Sequence, residues 1–301
     1  MDPVWSNEKM QLAQKIVAER FKTNSVARHL APHSMIDEGE TTVKRNRYDF
    51  AEAIVIDREV LSLYEPFSFC RFSKAQVDEF AKAIWKDEDV RLTRVATTLT
   101  RAASNLARWH DVLFFRGLRA DLKPHSVQMP PLGGETPQSL REAAIQADDK
   151  GPIQVGGGGG TPNEALVTAV YNAVLRLEDR GYYNTYHLVL GETLWQELHR
   201  PTRGSMVLPR DRIEPTLSGG TFYRTTTLPK DEALLASLDG LTFDCVVAGD
   251  PAQHPRFEWL RVTGKDDEEQ FYLFRVRERF TPRIRENKAI TRLVTPEQSQ
   301  A

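Results

Sequence analysis

Residues 161–201 constrain the fold more than any other stretch, because they read as a helix, a buried strand and a second helix in one run. Thr161, Pro162 and Glu164 form the pattern of a capping box with proline at the first helical position. Gly181 can end this helix in a left-handed conformation. The apolar face expected between them consists of Leu166, Val167, Val170, Tyr171, Val174 and Leu175.

The second half of this stretch predicts a strand and a short helix. Residues 186–190 are a compact apolar run before Gly191, and residues 192–199 have the length of a short helix that Pro201 ends. No residue here has a spacing typical of catalysis. We therefore expect the stretch to be a structural crossing between two regions of the protein.

Composition and charge limit the class of protein. The 301-residue chain is 40% hydrophobic, which permits a real core. Its 40 basic and 42 acidic side chains give a formal net charge of −2, so charge offers no argument for nucleic-acid binding. Cys70 and Cys245 lack metal-ligand spacing, and we expect free thiols in a reducing cytoplasm. The sequence shows neither a secretory signal nor an apolar run of membrane-spanning length, so a soluble intracellular protein is expected.

Two segments near the N-terminus are candidates for contact with another chain. Residues 6–21 read as an amphipathic helix that packs on its own domain or docks a partner. Residues 41–56 are rich in β-forming residues yet carry several charges. Such a strand pair fits either an arm that pairs with another subunit or an exposed hairpin at a sheet edge. The residues alone leave both interpretations open.

Helical spacing also predicts a long helix over residues 89–117. Gly117 ends it, and its apolar face consists of Val95, Leu99, Ala102, Ala103, Leu106, His110 and Leu113. Ser73 with Gln76 forms a second capping box, which predicts a shorter helix before it. His110 lies beside Asp111, but a lone histidine on a helix face is typical of a core or capping residue.

The C-terminal third predicts mainly strands. Residues 221–228 and 241–248 are strand candidates with a short helix at residues 231–237 between them. Residues 257–263 and 270–279 form a predicted hairpin, with Arg275, Arg277 and Arg279 on one face of its second strand. Because the chain is not basic overall, that face suits ion pairs with acidic neighbours better than contact with a nucleic-acid backbone.

The common catalytic motifs are absent from the sequence. It lacks the G-x-S-x-G nucleophile elbow and the H-E-x-x-H zinc motif, and His29 and His33 have no further ligands of a zinc site. The glycine run at residues 156–160 precedes a helix as phosphate loops do, but no lysine follows it and Pro162 removes an amide donor. We expect a flexible linker, no cofactor and no enzyme activity, with a nucleotide-binding enzyme as a distant alternative.

Residues 169–200 carry a family resemblance. The matching positions are Gly181, Tyr182, Tyr186, Val189, Leu190, Gly191, Leu194, Trp195 and Leu198. Residues 109–118, 139–144 and 274–284 are similar to further pieces of the same family in the same order. The chain thus resembles the encapsulins, bacterial shell proteins with the fold of the Hong Kong 97 phage major capsid protein. It looks like a divergent member, because the family's Gly-Arg-Arg step after the first helix is missing.

The resemblance implies an α+β fold of the Hong Kong 97 phage type. It divides the chain into an N-terminal helix and arm (residues 1–40), an extended E-loop (41–66), a peripheral P domain (67–182), an axial A domain (183–250), strands returning to the P domain (251–295) and a disordered tail (296–301). Within the P domain it implies a spine helix at 89–117, a linker at 119–160 and a helix at 161–181.

The resemblance also assigns candidate contact residues. E-loop contacts with a neighbouring subunit fall on Val43, Lys44, Arg45, Arg47, Tyr48 and Phe50. The A-domain tip around a symmetry axis and pore contains Arg203, Gly204, Ser205, Arg210, Asp211 and Arg212. A candidate cargo-docking surface on the N-terminal helix consists of Met10, Ala13, Ile16 and Val17.

The function implied by the resemblance is self-assembly into an icosahedral nanocompartment in the bacterial cytoplasm. Its partners are other copies of the chain and a cargo enzyme with a targeting peptide, such as a peroxidase, a ferritin-like protein or a cysteine desulfurase. Small molecules pass through pores. The alternative is a phage or prophage major capsid protein that packages DNA. Against it, we see no scaffold-like segment before the fold and no excess of basic charge.

Overall fold

The computed structural model describes residues 4–49, 54–82, 93–118, 127–128, 135–156, 161–183, 185–201, 206–238, 242–250, 254–263 and 270–296. The described helices are α1 (Asn7–Asn24), α2 (Val26–Leu30), α3 (Lys74–Lys82), α4 (Arg94–Arg116), α5 (Leu140–Ala147), α6 (Pro162–Asp179), α7 (Glu192–Leu198) and α8 (Pro209–Ile213).

The described strands pair into four sheets. They are β1 (His33–Ile36), β2 (Thr42–Asp49), β3 (Ile54–Ser62), β4 (Glu65–Ser73), β5 (Val127–Gln128), β6 (Ile153–Gln154), β7 (Tyr186–Leu190), β8 (Phe222–Arg224), β9 (Glu232–Ser237), β10 (Phe243–Ala248), β11 (Arg256–Thr263), β12 (Phe271–Arg277), β13 (Phe280–Ile284) and β14 (Ile290–Val294). The sheet orders are β1–β10–β13, β11–β12–β4–β5, β6–β14–β9–β7–β8 and β2–β3.

The long helix α4 packs across the sheet that contains β4, β11 and β12. Thr93 caps its N-terminus by accepting a hydrogen bond from the Ala96 amide at 3.1 Å, and Gly117 follows its end with φ of 76°. All seven apolar-face positions predicted from the sequence are buried. Helix α1 lies beside α4, and their common core includes Trp5, Phe72 and Phe274. The predicted long helix is thus confirmed over residues 94–116, while residues 89–92 lie outside the described part.

The five-stranded sheet is covered on both faces. Helices α6, α7 and α8 supply Leu166, Leu194 and Ile213 to one core cluster, which also contains Leu235 of β9. The next residue toward the N-terminus, Leu234, points to the opposite core cluster with the end of α4. Strand β9 is therefore buried along its whole length between β14 and β7.

This burial corrects the predicted helix at residues 231–237. The segment Glu-Ala-Leu-Leu-Ala-Ser consists mostly of good helix formers, so local propensity favours a helix. A strand buried on both faces needs a continuous apolar run rather than an alternating one, and Ala233–Ala236 supply it. The two antiparallel ladders with β7 and β14 outweigh the local preference.

Helix α6 forms as predicted, but its cap and its apolar face differ in detail. Thr161 makes no side-chain capping bond, and Asn163 instead accepts from the Glu164 amide at 3.0 Å. The capping-box prediction is therefore wrong. Tyr171 and Leu175 were predicted on the buried face but are 44% and 56% exposed. Ala169, Ala173 and Leu177 are buried on that face along with the other predicted residues.

At two positions of the same region the backbone geometry requires glycine. Gly181 follows α6 with φ of 90°, in the left-handed region, and its amide donates to the Glu178 carbonyl at 2.9 Å. The prediction for Gly181 is confirmed. A Cβ at Gly191 would overlap the carbonyl oxygen of Pro229, so the turn from β7 into α7 accepts no side chain there.

The C-terminal strands divide between sheets. Strands β11 and β12 form the predicted hairpin and join β4 beside the spine helix. Strand β13 pairs with β10, and β14 pairs with β9 and β6 in the five-stranded sheet. That residues 251–295 return to the P domain stays a prediction.

The arginines on the outer face of β12 form ion pairs within the subunit. Glu258 accepts from Arg275 Nη2 at 2.9 Å and from Arg277 Nε at 2.7 Å. Arg277 and Arg279 also lie 3.5 Å from Glu65. The ion-pair interpretation of this face is confirmed, since its positive charges are matched by carboxylates of β11 and β4.

These pairs predict a pH-dependent contribution to stability. Burial alone raises the pKa of Glu258, but hydrogen bonds from Arg277 and Arg275 outweigh it and hold the pKa below its ordinary value of 4.5. A depressed pKa in the folded state means that the stabilisation is present above pH 4.5 and is lost as the pH falls below it. The wild type should therefore exceed Glu258→Gln in thermal midpoint near neutral pH, and the difference should shrink in acid.

The measurement is a set of thermal melts of both proteins between about pH 7 and about pH 3.5, the window in which a carboxylate of this kind titrates. Glu19→Gln on the exposed face of α1 controls for the loss of one negative charge. A difference that stays constant or widens in acid would contradict the assignment.

Candidate assembly surfaces

Strands β2 and β3 form a two-stranded hairpin that matches the predicted E-loop. They run antiparallel from the pair Thr42 and Ser62 to the pair Asp49 and Ile54, with an irregularity after Arg47. Its described length of eight residues on β2 corresponds to about 26 Å at ~3.3 Å per residue. Residues 50–53 at its far end, including the predicted contact residue Phe50, lie outside the described part.

The base of this hairpin is fixed to the subunit itself. Val43 is buried in a small cluster with Leu63 and Val246. Arg45 is only 3% exposed, donates to the Ile284 carbonyl at 3.3 Å and pairs with Glu59 on the opposite strand. Val43 and Arg45 were predicted as contacts with a neighbouring subunit. Their side chains instead pack against residues of their own subunit, so they anchor the base of the hairpin to it.

The hairpin beyond its base is described mainly through its backbone. Lys44 is exposed, and Arg47 and Tyr48 are described only in their backbone. Beyond their own ladder, β2 and β3 contact β13, and Glu135 exchanges backbone hydrogen bonds with Val60 and Ser62. An isolated two-stranded hairpin is at best marginally stable in water, so a further surface that covers the far end of this one would stabilise it.

The predicted A-domain tip contains a short helix and exposed apolar residues. Arg210, Asp211 and Arg212 lie in α8 and are exposed, whereas residues 203–205 are outside the described part. Arg212 forms an ion pair with Glu164 at 2.6 Å. Met206, just before α8, is 99% exposed, which sequence reasoning missed because a single methionine in a polar loop gives no pattern.

A second exposed apolar patch follows the outer face of α6. Tyr171 and Leu175 are separated by one helical turn and both face solvent, and the Tyr171 hydroxyl donates to the Arg212 carbonyl at 3.4 Å. This contact places the outer face of α6 beside the tip helix. Exposed apolar patches are typical of protein contact surfaces.

The N-terminal helix uses its apolar face within its own subunit. Ala13 and Val17 are fully buried, and Met10 and Ile16 are partly buried against the same core as the spine helix. The structure thus favours the packing interpretation for these four residues. A partner would reach Ala13 or Val17 only after α1 had left the subunit.

His110 and Asp111 are core and capping residues, as expected. His110 is fully buried, with Nδ1 2.9 Å from the Ser25 hydroxyl oxygen. Asp111 accepts from that hydroxyl at 2.8 Å and from the amides of Val26 and Ala27 at 3.0 Å, so it caps the start of α2. Through Ser25, Val26 and Ala27 these hydrogen bonds join α2 to α4.

A cysteine and a glutamate next to His110 have the residue types of a catalytic triad but not its setting. Cys245 Sγ lies 3.7 Å and Glu278 Oε2 lies 3.9 Å from His110 Nε2, and all three side chains are fully buried. Burial raises the pKa values of the Cys245 thiol and the Glu278 carboxyl. A nucleophilic thiol needs a lowered pKa and access to substrate, so this contact is a packing feature of the core. Cys70 is likewise buried and free, as predicted.

The structure describes only part of the residues that bear on a metal site, on the glycine run and on a membrane-spanning helix. Among the described residues, no group of three or more His, Cys, Asp and Glu side chains is placed to hold a metal ion. Residues 157–160 of the glycine run lie outside the described part. The helices that the structure describes include none with the length and apolar character to cross a membrane.

Comparison with known proteins shows which family and which solved structures this chain is similar to. Residues 140–254 match a protein family described as "Encapsulating protein for peroxidase". The virus-like particle from Pyrococcus furiosus superposes with a TM-score of 0.66 at 14% identity, covering 95% of this chain and 99% of that chain. This chain is encapsulin-like. The resemblance inferred from residues 169–200 is therefore confirmed.

Two further solved structures support the same fold. The encapsulin complex from Synechococcus elongatus gives a TM-score of 0.55 at 8% identity, over 98% of this chain and 91% of that chain. A structure from Mycobacterium phage Bobi gives 0.60 at 14% identity, over 91% of each chain. The α+β fold of the Hong Kong 97 phage type is thus confirmed for the encapsulin-like chain. No curated protein matches its sequence.

Proposed function

We propose that this encapsulin-like protein is the repeating subunit of a closed icosahedral shell that encloses cargo protein. The observation that carries the proposal is the β2–β3 hairpin, which is anchored at its base and otherwise lacks a third strand among the described residues. In a shell, the hairpin of each subunit lies on the next one. Its unpaired edges and its charges are then satisfied between copies rather than within one.

The type of contact between subunits follows from the fact that the hairpin and the surface it lies on are different parts of the chain. A hairpin that leaves one surface and lies on a different surface of an identical neighbour makes a heterologous contact. Such contacts form closed assemblies when their rotation closes around symmetry axes. The exposed patch on α6 and the tip beside it are a second candidate surface, which supports contacts around such an axis and a pore that admits small molecules.

The same proposal assigns the protein a structural role in the cytoplasm without enzyme activity of its own. Its partners are further copies of the chain and a cargo enzyme with a targeting peptide. The sealed setting of His110, Cys245 and Glu278 supports this assignment, because the most enzyme-like set of side chains in the described part has no access to substrate.

The decisive experiment is size-exclusion chromatography followed by negative-stain microscopy of the purified protein. We expect uniform hollow particles far larger than the 34.2 kDa monomer. Monomers or dimers alone at micromolar concentration would overturn the proposal.

A phage-type capsid that packages DNA is the second candidate, and the fold match to the Mycobacterium phage structure supports it. The two functions differ in what the particle contains. Particles purified after nuclease treatment should contain protein cargo and little protected nucleic acid if the first proposal is correct. Long nuclease-protected DNA inside them would favour the phage capsid.

A further inference from the structure

A pocket lies where the end of α1, the spine helix α4 and the loop after β8 meet. Its volume is about 320 Å³, and its lining includes Asn24, Ser104, Arg108, Asp111, Arg224 and Thr226. These residues come from three distant parts of the sequence. We call it the α1–α4–β8 pocket; it is separate from the hairpin and from the tip.

Positive charge dominates this pocket. Arg108 is exposed and makes no ion pair or hydrogen bond with any other residue that the structure describes. Arg224 has its nearest carboxylate, Glu192, at 3.6 Å, with both side chains about half exposed. Arg20 approaches from α1 and donates to the Ser104 hydroxyl at 3.1 Å. Two arginines thus line the pocket, and a third contacts one of its lining residues.

The carboxylate in the lining does not cancel this charge. Asp111 is 4% exposed, and both of its oxygens accept hydrogen bonds. The amides of Val26 and Ala27 and the hydroxyl of Ser25 are its donors and stabilise the carboxylate without removing its charge. Two arginines against one aspartate leave the lining net positive.

The loop after β8 adds an uncharged donor. The hydroxyls of Thr225 and Thr227 lie 2.8 Å apart and bond to each other, and the Thr227 amide donates to Thr225 Oγ1 at 3.1 Å. These bonds hold the loop in shape. Between them, the exposed Thr226 hydroxyl makes no hydrogen bond to another described residue and lines the pocket.

We infer that the α1–α4–β8 pocket binds a small oxyanion ligand, a phosphate monoester or a carboxylate. The guanidinium groups of Arg108 and Arg224 and the hydroxyl of Thr226 line it, and arginine matches the geometry of both anions with paired hydrogen bonds. The volume is at the lower end of the range of about 300–1,000 Å³ typical of small-molecule sites, so the ligand is a small molecule rather than a folded partner. This inference does not depend on shell assembly.

The test is isothermal titration calorimetry of the full-length protein at constant ionic strength with three probes. Inorganic phosphate tests the oxyanion alone, and phenyl phosphate and benzoate are a matched pair that separates phosphate from carboxylate recognition. We expect saturable binding of at least one probe. Arg108→Gln should weaken it at least about tenfold, because it removes charge-assisted hydrogen bonds. Thr226→Val should weaken it by a smaller factor.

Arg101→Gln is the matched control, since Arg101 lies two turns earlier on the same exposed side of α4 and does not line the pocket. It removes the same charge and should leave the affinity unchanged. Circular dichroism confirms that each variant is folded. The inference is overturned if the wild type binds none of the probes, or if Arg101→Gln weakens binding as much as Arg108→Gln does. Binding measured on unassembled subunits would support the inference about the pocket equally well. The result of this experiment is therefore independent of whether the shell proposal is correct.

Discussion

Replacing residues 47–57 with the dipeptide Asn-Gly should abolish assembly while leaving the subunit folded. The change shortens the hairpin to the register pair Asn46 and Arg58 and supplies a turn that suits two antiparallel strands. It keeps the anchors Val43 and Arg45, so the buried base and its contacts with β13 remain. The residues removed all lie beyond the buried base of the hairpin.

Light scattering after size-exclusion chromatography should show monomers or small oligomers in place of large particles, and the helical signal in circular dichroism should be unchanged. Glu19→Gln is the control, because Glu19 is exposed on α1 and belongs to none of the candidate contact surfaces. Particles of normal size from the shortened variant would contradict the role assigned to the hairpin.

Trp5→Ala should destabilise the subunit more than any surface change. Trp5 is 1% exposed, its ring centroid lies 4.7 Å from those of both Phe80 and Phe274, and its Nε1–H donates to the Val77 carbonyl at 3.2 Å. Removing such a buried aromatic ring typically costs about 3–5 kcal/mol in the free energy of unfolding. The loss is measured by guanidinium chloride unfolding followed by circular dichroism.

Trp5→Phe separates the two contributions of this residue. It keeps an aromatic ring in the cluster but loses the hydrogen bond to Val77, which is worth about 1 kcal/mol. Its loss of stability should therefore fall well below that of Trp5→Ala. An alanine variant with unchanged stability would show that the segment before α1 is not part of the core.

The spine helix shows what a local pattern can predict. Its buried positions repeat at the spacing of one helix face, and Gly117 ends it in a conformation that glycine adopts easily. Both signals lie within the segment itself. The hairpin of β11 and β12 was predictable for the same reason, since alternation along each strand reports its two faces.

Strand β9 shows where local pattern fails. Residues 232–237 favour a helix when considered alone, but β7 and β14 lie on either side and two core clusters cover the faces. Burial on both faces removes the alternation that identifies a strand. Tyr171 and Leu175 were predicted to be buried but are exposed. Helical spacing of apolar residues does not distinguish a buried face from an exposed contact surface.

The contact residues of the hairpin illustrate the same limit. The sequence shows a charged β-rich arm, but Arg45 is buried because Ile284, more than two hundred residues later, supplies its carbonyl partner. The α1–α4–β8 pocket was equally invisible, since Asn24, Arg108 and Thr226 meet only in the folded chain. No spacing rule links positions so far apart.

By itself, the sequence determined the spine helix and the crossing from α6 to β7, because each depends on periodicity or on turn chemistry within a short segment. The encapsulin resemblance came from the sequence too, through residues that match the family's motifs in order. Only the tertiary structure decided that β9 is a strand, that Val43 and Arg45 are anchors, and that Arg108 and Arg224 line one pocket. These properties depend on which distant surfaces exclude water from a residue or supply its hydrogen bonds, and that information arises only when the chain is packed.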